Sequence, residues 1–134
     1  SIEYLGEVDE PDRIALLRRA RATLFPIDWE EPFGLVMIES LACGTPVLAT
    51  RRGSVPEVIR DGVTGIVVDD HLEMVDALER AARLDPRALR RDVEERFSPQ
   101  GMVRGYLAAY EAAVAEHGAS PAQPAGTASG TARS

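Results

Sequence analysis

Two glutamates, Glu31 and Glu39, frame the one stretch of this 134-residue chain whose residue types could do chemistry. Between them run Pro32, Phe33, Gly34, Leu35, Val36, Met37 and Ile38, and the helical pattern of positions 34–43 stops at Gly44. The first-turn N–H groups of a helix lack partners within it, and with the positive end of the helix dipole they form an anion site. Pro32 and Gly34 let the backbone enter tightly and leave room for a ligand against it. Glu39 shares a helical face with Leu35, roughly 6 Å along the axis, where a carboxylate can accept two hydrogen bonds from a diol. An amide cradle for phosphate beside a carboxylate for a diol suits a nucleoside diphosphate, and Glu31 could reach whatever hangs beyond the phosphates. Plainer readings stand beside this one. Glu30 and Glu31 could merely complement the helix dipole, and Glu39 could face solvent.

The same helix is apolar on nearly every side, which predicts a buried central helix. A charge such as Glu39 is costly there unless it is paired or faces a polar cavity. Around it the pattern alternates between extended and helical runs. Strands are expected at 2–5, 23–26, 46–50 and 66–68. Pro11 opens a first helix with Ile14, Leu16, Leu17 and Ala20 as its apolar stripe. Ser54 and Glu57 form a capping-box pattern before Val58 and Ile59. Helical patterns follow over 71–84 and from Pro86 to about 96. A last helix begins at Ser98-Pro99 and carries Met102, Val103, Tyr106, Leu107, Tyr110, Ala113 and Val114 on one side. The fold class is therefore α/β: a parallel sheet of about four strands flanked by helices, Rossmann-like, with ligands expected at the carboxyl ends of the strands. The loops that count are 6–11, 27–33, 51–53 and 69–71. Residues 1–117 read as one domain, incomplete at its N-terminus because the chain opens inside a strand-like run without Met. Residues 118–134 read as a disordered tail of small and polar residues.

Composition narrows the classes. The net charge of −7 argues against nucleic acid as a partner, since phosphate contacts need a basic face. All 15 basic residues are Arg, so lysine-based chemistry is absent from this chain. Cys43 is the single cysteine, which excludes an internal disulfide and a thiolate cluster. His71 and His117 are isolated, no Asp-x-Asp motif occurs, and no metal is expected. No apolar run is long enough for a transmembrane segment. The chain reads as cytoplasmic, at most peripheral to the inner face of a membrane.

Glu31-Pro32-Phe33-Gly34-Leu35-Val36-Met37-Ile38-Glu39, followed by Ala42-Cys43-Gly44-Thr45-Pro46-Val47, resembles the signature of glycosyltransferase family 4. These are retaining enzymes of the two-Rossmann-domain type. Tyr4-Leu5-Gly6-Glu7-Val8 resembles that family's strand end, and Gly53 to Ile59 with Asp61 to Gly65 resembles its glycine-rich segment and the turn after it. Ser54 stands where a second Gly is more usual. The resemblance implies that the chain is the C-terminal part of the donor-binding domain, with a nucleotide-diphosphate sugar as donor substrate and no other cofactor. Glu39 would bind ribose hydroxyls, and Glu31, the catalytic candidate, would hold hydroxyls of the transferred sugar. The amides of Phe33, Gly34, Leu35 and Val36 would meet the sugar and the distal phosphate. Val8 would contact the base, with Arg13 as a neighbour. A basic pair for the diphosphate and most of the acceptor site would lie on sequence upstream and on a missing N-terminal Rossmann domain. The parent would transfer a glycosyl group to an unknown acceptor, while this chain alone is expected to be inactive. The alternatives are a non-catalytic nucleotide- or partner-binding module of the same fold, or a nucleotide-sugar epimerase.

Overall fold

Short apolar runs separated by helices can bury both faces only if the strands lie side by side with helices above and below. The computed structural model describes residues 2–118 and has that arrangement. In chain order the elements are α1 (Glu10–Arg19), β1 (Thr23–Phe25), α2 (Leu35–Ala42), β2 (Val47–Thr50), α3 (Val55–Val58), β3 (Gly65–Val68), α4 (Glu73–Ala81), α5 (Pro86–Arg96) and α6 (Pro99–Gly118). The strands form one parallel sheet in the order β1-β2-β3, with Thr23 beside Val47 and Val47 beside Gly65.

Strand alternation sorts the side chains to two faces. Val47, Ala49 and Val67 point to a core shared with Met37 and Leu41 of α2, Val55 and Val58 of α3, and Leu89 of α5. Leu48, Ile66 and Val68 point the other way, to Met74, Ala77 and Ala81 of α4. Met37, Leu41, Leu48 and Leu89 are wholly buried, and at about 1.5–3 kcal/mol each they dominate the attachment of the helices to the sheet. Caps agree with the residue types. Asp9 accepts from the Asp12 amide at the start of α1, Asp85 accepts from the Arg87 amide at the start of α5, and Gly44 follows the end of α2.

Several expectations are corrected. Residues 2–5 form no strand and pair with none, so the sheet has three strands among the described residues. Ile2 and Tyr4 stand almost fully in solvent, and with no neighbouring strand the backbone of this segment is left to water. In α1 only Leu17 of the apolar stripe is buried, since the helix touches α2 over a narrow strip and leaves Leu16 and Ala20 outward. The capping box at Ser54 does not form. Ser54 already has helical backbone angles, its hydroxyl is buried without a partner, and α3 is a single turn. The apolar side of α6 is present but uncovered: Met102, Val103, Tyr106, Leu107, Tyr110 and Val114 are all more than half exposed, and α6 meets the rest of the domain mainly through α5. The expected tail lies outside the described residues beyond Gly118, which ends α6. No described helix is long and apolar enough to cross a membrane.

A buried acid holds the lower part of this assembly together. Asp92 of α5 is 4% exposed and accepts from Arg60 and from Arg96, each at 2.8 Å. Arg96 also donates to the carbonyls of Glu57 and Val58, which fastens α5 to the end of α3. Both arginines reach solvent, so loss of the acid strands neither charge in the interior. We therefore expect Asp92→Ala to lower stability by about 1–3 kcal/mol, less than the cost of orphaning a fully buried ion. Urea unfolding measures it, and an unchanged midpoint would show that the network contributes nothing net.

Candidate functional site

The loop from Ile27 to Gly34 leaves the carboxyl end of β1 and turns into α2. Gly34 sits at the N-cap with φ of +71°, a left-handed angle that costs glycine little, and a Cβ there would run into the Met37 side chain. Having no side chain, Gly34 caps nothing, so the amides at this helix entry need an acceptor from elsewhere. Glu31 supplies it. Its Oε1 accepts from the Gly34 amide at 3.1 Å and, more weakly, from the Phe33 amide at 3.5 Å. Its Oε2 accepts from the indole N–H of Trp29 at 3.1 Å. The Trp29 hydrogen bond above all holds the Glu31 carboxyl below its ordinary pKa; slight desolvation opposes this, and the Phe33 and Gly34 amides add to the lowering. Two of the four expected amides, those of Phe33 and Gly34, thus converge on the chain's own carboxylate in this structure. Phe33 and Leu35 are exposed beside it and Val36 is half-buried.

A second loop fixes the first. The turn after β2 lies against residues 30 and 31: the Ser54 amide donates to the Glu31 carbonyl at 2.8 Å, and the Gly53 amide donates to the Glu30 carboxylate at 2.6 Å. Gly53 has φ of +49°, and a Cβ on it would collide with the Glu31 backbone. Thr50, at the end of β2, adds a hydrogen bond to the Ile27 carbonyl. The adjacent acids therefore do different work: Glu30 holds the neighbouring turn, and Glu31 faces the helix entry.

Glu39 lies one turn further along α2. The helix is not buried all round as its composition implied, because Leu35 and Ala42 face outward and the Glu39 side chain is 40% exposed. The site is half open because α1 covers only a strip of it. Arg13 of α1 donates to Glu39 Oε1 at 3.1 Å, so these two candidates do meet, across a cavity of about 260 Å³ that Leu17 and Cys43 also line. The Arg13 Nε is buried without a partner. Val8 is not brought there. It lines a separate shallow cavity on the far side of α1, with Leu5, Asp9 and Asp12.

A cavity of about 720 Å³ also lies at the strand ends but on the α4 side of the sheet, lined by Leu24, Ile27, Met74 and Leu78 beside Asp28, Arg52 and His71. It includes no residue of the Glu31–Glu39 constellation. Directed polar groups identify a site better than volume does, so the helix entry is the candidate. Arg51 pairs with Asp69 at 3.0 Å and Arg52 turns back to the Arg51 carbonyl, as a solvated pair would. Sequence reasoning passed over Trp29 and the clamp role of Glu30. A tryptophan in a polar loop was a signal for the first; nothing local announces a partner 23 residues away for the second.

The family model for glycosyl transferases group 1 matches residues 1–96, which span α1 through α5. The chain belongs to that family. It is 37% identical over 134 residues to a D-inositol 3-phosphate glycosyltransferase of Mycolicibacterium smegmatis, covering 96% of this chain and 31% of the relative. A protein of the same name from Mycolicibacterium vanbaalenii is 37% identical over 121 residues, 87% of this chain and 27% of the relative. Another from Thermobifida fusca reaches 52% over 54 residues, 40% of this chain and 12% of the relative. The chain thus spans less than a third of the curated relatives it matches. In this group 1 glycosyl transferase domain, Gly53→Ala should push the 30–31 backbone away from the turn and cost about 1–3 kcal/mol. Thermal unfolding reads the loss. The fluorescence of Trp29, the sole tryptophan here, should change with it; native emission and an unchanged midpoint would contradict the clamp.

Proposed function

We propose that this chain is the C-terminal, donor-binding part of a retaining glycosyltransferase of the family 4 type, acting on a nucleotide-diphosphate sugar. The observation that carries the reading is the placement of two carboxylates on one helix entry at the carboxyl ends of a parallel sheet. Glu31 lies on the Phe33 and Gly34 amides, and Glu39 lies one turn beyond, held by Arg13. On this reading Glu39 keeps its second oxygen for a ribose hydroxyl, and Glu31 turns its carboxylate to hydroxyls of the transferred sugar. The amides from Phe33 to Val36 meet the sugar and distal phosphate. Arg13 acts on the donor through Glu39, and Val8 contributes to the base side only if the segment before α1 closes over α2.

The chemistry is the breaking of the anomeric C–O bond, with the electron pair leaving on the diphosphate and an oxocarbenium-like centre left behind. Stabilising those charges is electrostatic work done by fixed dipoles and cations. The α2 N-terminus supplies part of it, and an Arg/Lys pair on the remainder of the protein supplies the rest, with no metal called for. The acceptor is bound mainly by a partner Rossmann domain. The parent works in the cytoplasm, where it can draw on nucleotide sugars, and residues 1–117 by themselves are inactive. The relatives' name supports transfer over epimerisation, although this chain spans under a third of each relative.

Two substitutions test this in the protein that carries the chain. Glu39→Gln should weaken binding of uridine or guanosine diphosphate by about 1–3 kcal/mol, the cost of a lost charged acceptor, as read by calorimetry. Unchanged affinity would remove Glu39 from the ribose. Glu31→Ala should depress turnover of the nucleotide sugar far more than it weakens nucleoside diphosphate binding. Equal losses in both would return Glu31 to the role of a helix-dipole partner.

A further inference from the structure

We propose that Trp29 is a positioning residue for Glu31, its indole N–H holding the carboxylate that meets the transferred sugar in the orientation set by the helix-entry amides. The proposal rests on the donor-site reading above. A glutamate on a loop has three side-chain torsions and samples many rotamers unless something holds it. The Gly34 and Phe33 amides anchor only Oε1, which leaves the carboxylate plane free to turn about its last bond. The indole N–H on Oε2 at 3.1 Å removes that freedom. The Glu31 amide donates to the Trp29 carbonyl at 3.1 Å, a tight turn that keeps the two side chains on one side of the loop.

Packing does not account for Trp29. The residue is 55% exposed and belongs to neither hydrophobic core. An indole nitrogen can donate but not accept, so its one polar group has a single use here, and that use is Glu31. Oε2 keeps a second lone pair after accepting the indole hydrogen bond, so the contact does not close the carboxylate to a sugar hydroxyl. The Trp29 bond is also the foremost reason that the Glu31 carboxyl stays ionised below its ordinary range. Groups held this way by a neighbour lose function when the neighbour is removed, although the group itself remains.

The test is a double-mutant cycle on the protein that carries this chain, using Trp29→Phe, Glu31→Ala and the pair. Phenylalanine keeps a ring and removes the donor. The readouts are release of nucleoside diphosphate from UDP- and GDP-sugars and calorimetric binding of UDP and GDP. We expect Trp29→Phe to lower turnover about tenfold, the worth of a hydrogen bond to a charged group, with nucleoside diphosphate affinity held within about twofold. In the Glu31→Ala background the same change should cost nothing further. The indole N–H resonance of Trp29 should move in Glu31→Gln, a signature that a packing role would not produce. Full turnover in Trp29→Phe, or a loss that simply adds to that of Glu31→Ala, would overturn the positioning role alone. Full turnover in Glu31→Ala would instead overturn the donor-site reading and this proposal with it.

Discussion

The backbone hydrogen bond from Ser54 to Glu31, reinforced by the Gly53 amide on the Glu30 carboxylate, is the constraint on which the rest of the site depends. It joins the loops that leave two neighbouring parallel strands. Parallel strands deliver successive loops to the same end of a sheet, but each loop alone is a flexible connection. Tied to one another, they make a shared surface. Gly53 matters because its missing side chain is the space that the other loop occupies. Thr50 extends the tie to Ile27, so the loop is held along its length before it reaches α2.

With the loop held, α2 starts at a defined place and its free amides point at a defined spot. Glu31 meets the two amides just ahead of them, those of Phe33 and Gly34. This is sound economy for a helix whose N-cap is a glycine, since unsatisfied amides at a helix entry are costly when shielded from water. It also means that an anionic or hydroxyl-rich ligand meets amides already arranged around a carboxylate. The Glu31 carboxyl is held below its ordinary range by the Trp29 indole first and by the Phe33 and Gly34 amides after it, against an opposing desolvation.

Charge in this domain is arranged in local pairs more than in patches. The chain carries −7 overall, yet its described arginines repeatedly meet acids: Arg13 with Glu39, Arg21 with Glu79, Arg51 with Asp69, and Arg60 and Arg96 with Asp92. The exposed pairs contribute little to stability and mainly fix side-chain direction. Asp92 differs because it is buried and receives two arginines, Arg96 from its own helix and Arg60 from the loop after α3. Arg13 matters for direction: by donating to Oε1 of Glu39 it fixes one of the two oxygens of a half-exposed carboxylate.

By itself the sequence determined the α/β class, the positions of the three formed strands to within a residue or so, the helix starts near Pro11 and Pro86, and the two glutamates about a helix entry. Those features are local: strand alternation, Pro and Gly punctuation and side-chain chemistry act over a few residues. It also made the helix of Glu39 look buried on every side and made Ser54 look like a cap, since composition reports that a residue is apolar or small but not what is packed against it. Only the tertiary structure decided that α1 leaves part of α2 open, that residues 2–5 have no strand beside them, and that Ser54 donates its amide to Glu31 instead of capping α3. It likewise decided that Glu30 clamps Gly53, that Arg13 finds Glu39, and that Val8 lies elsewhere. Each of these depends on segments far apart in the chain meeting at one end of a sheet. Sequence spacing carries no record of such a meeting until the strands are in register.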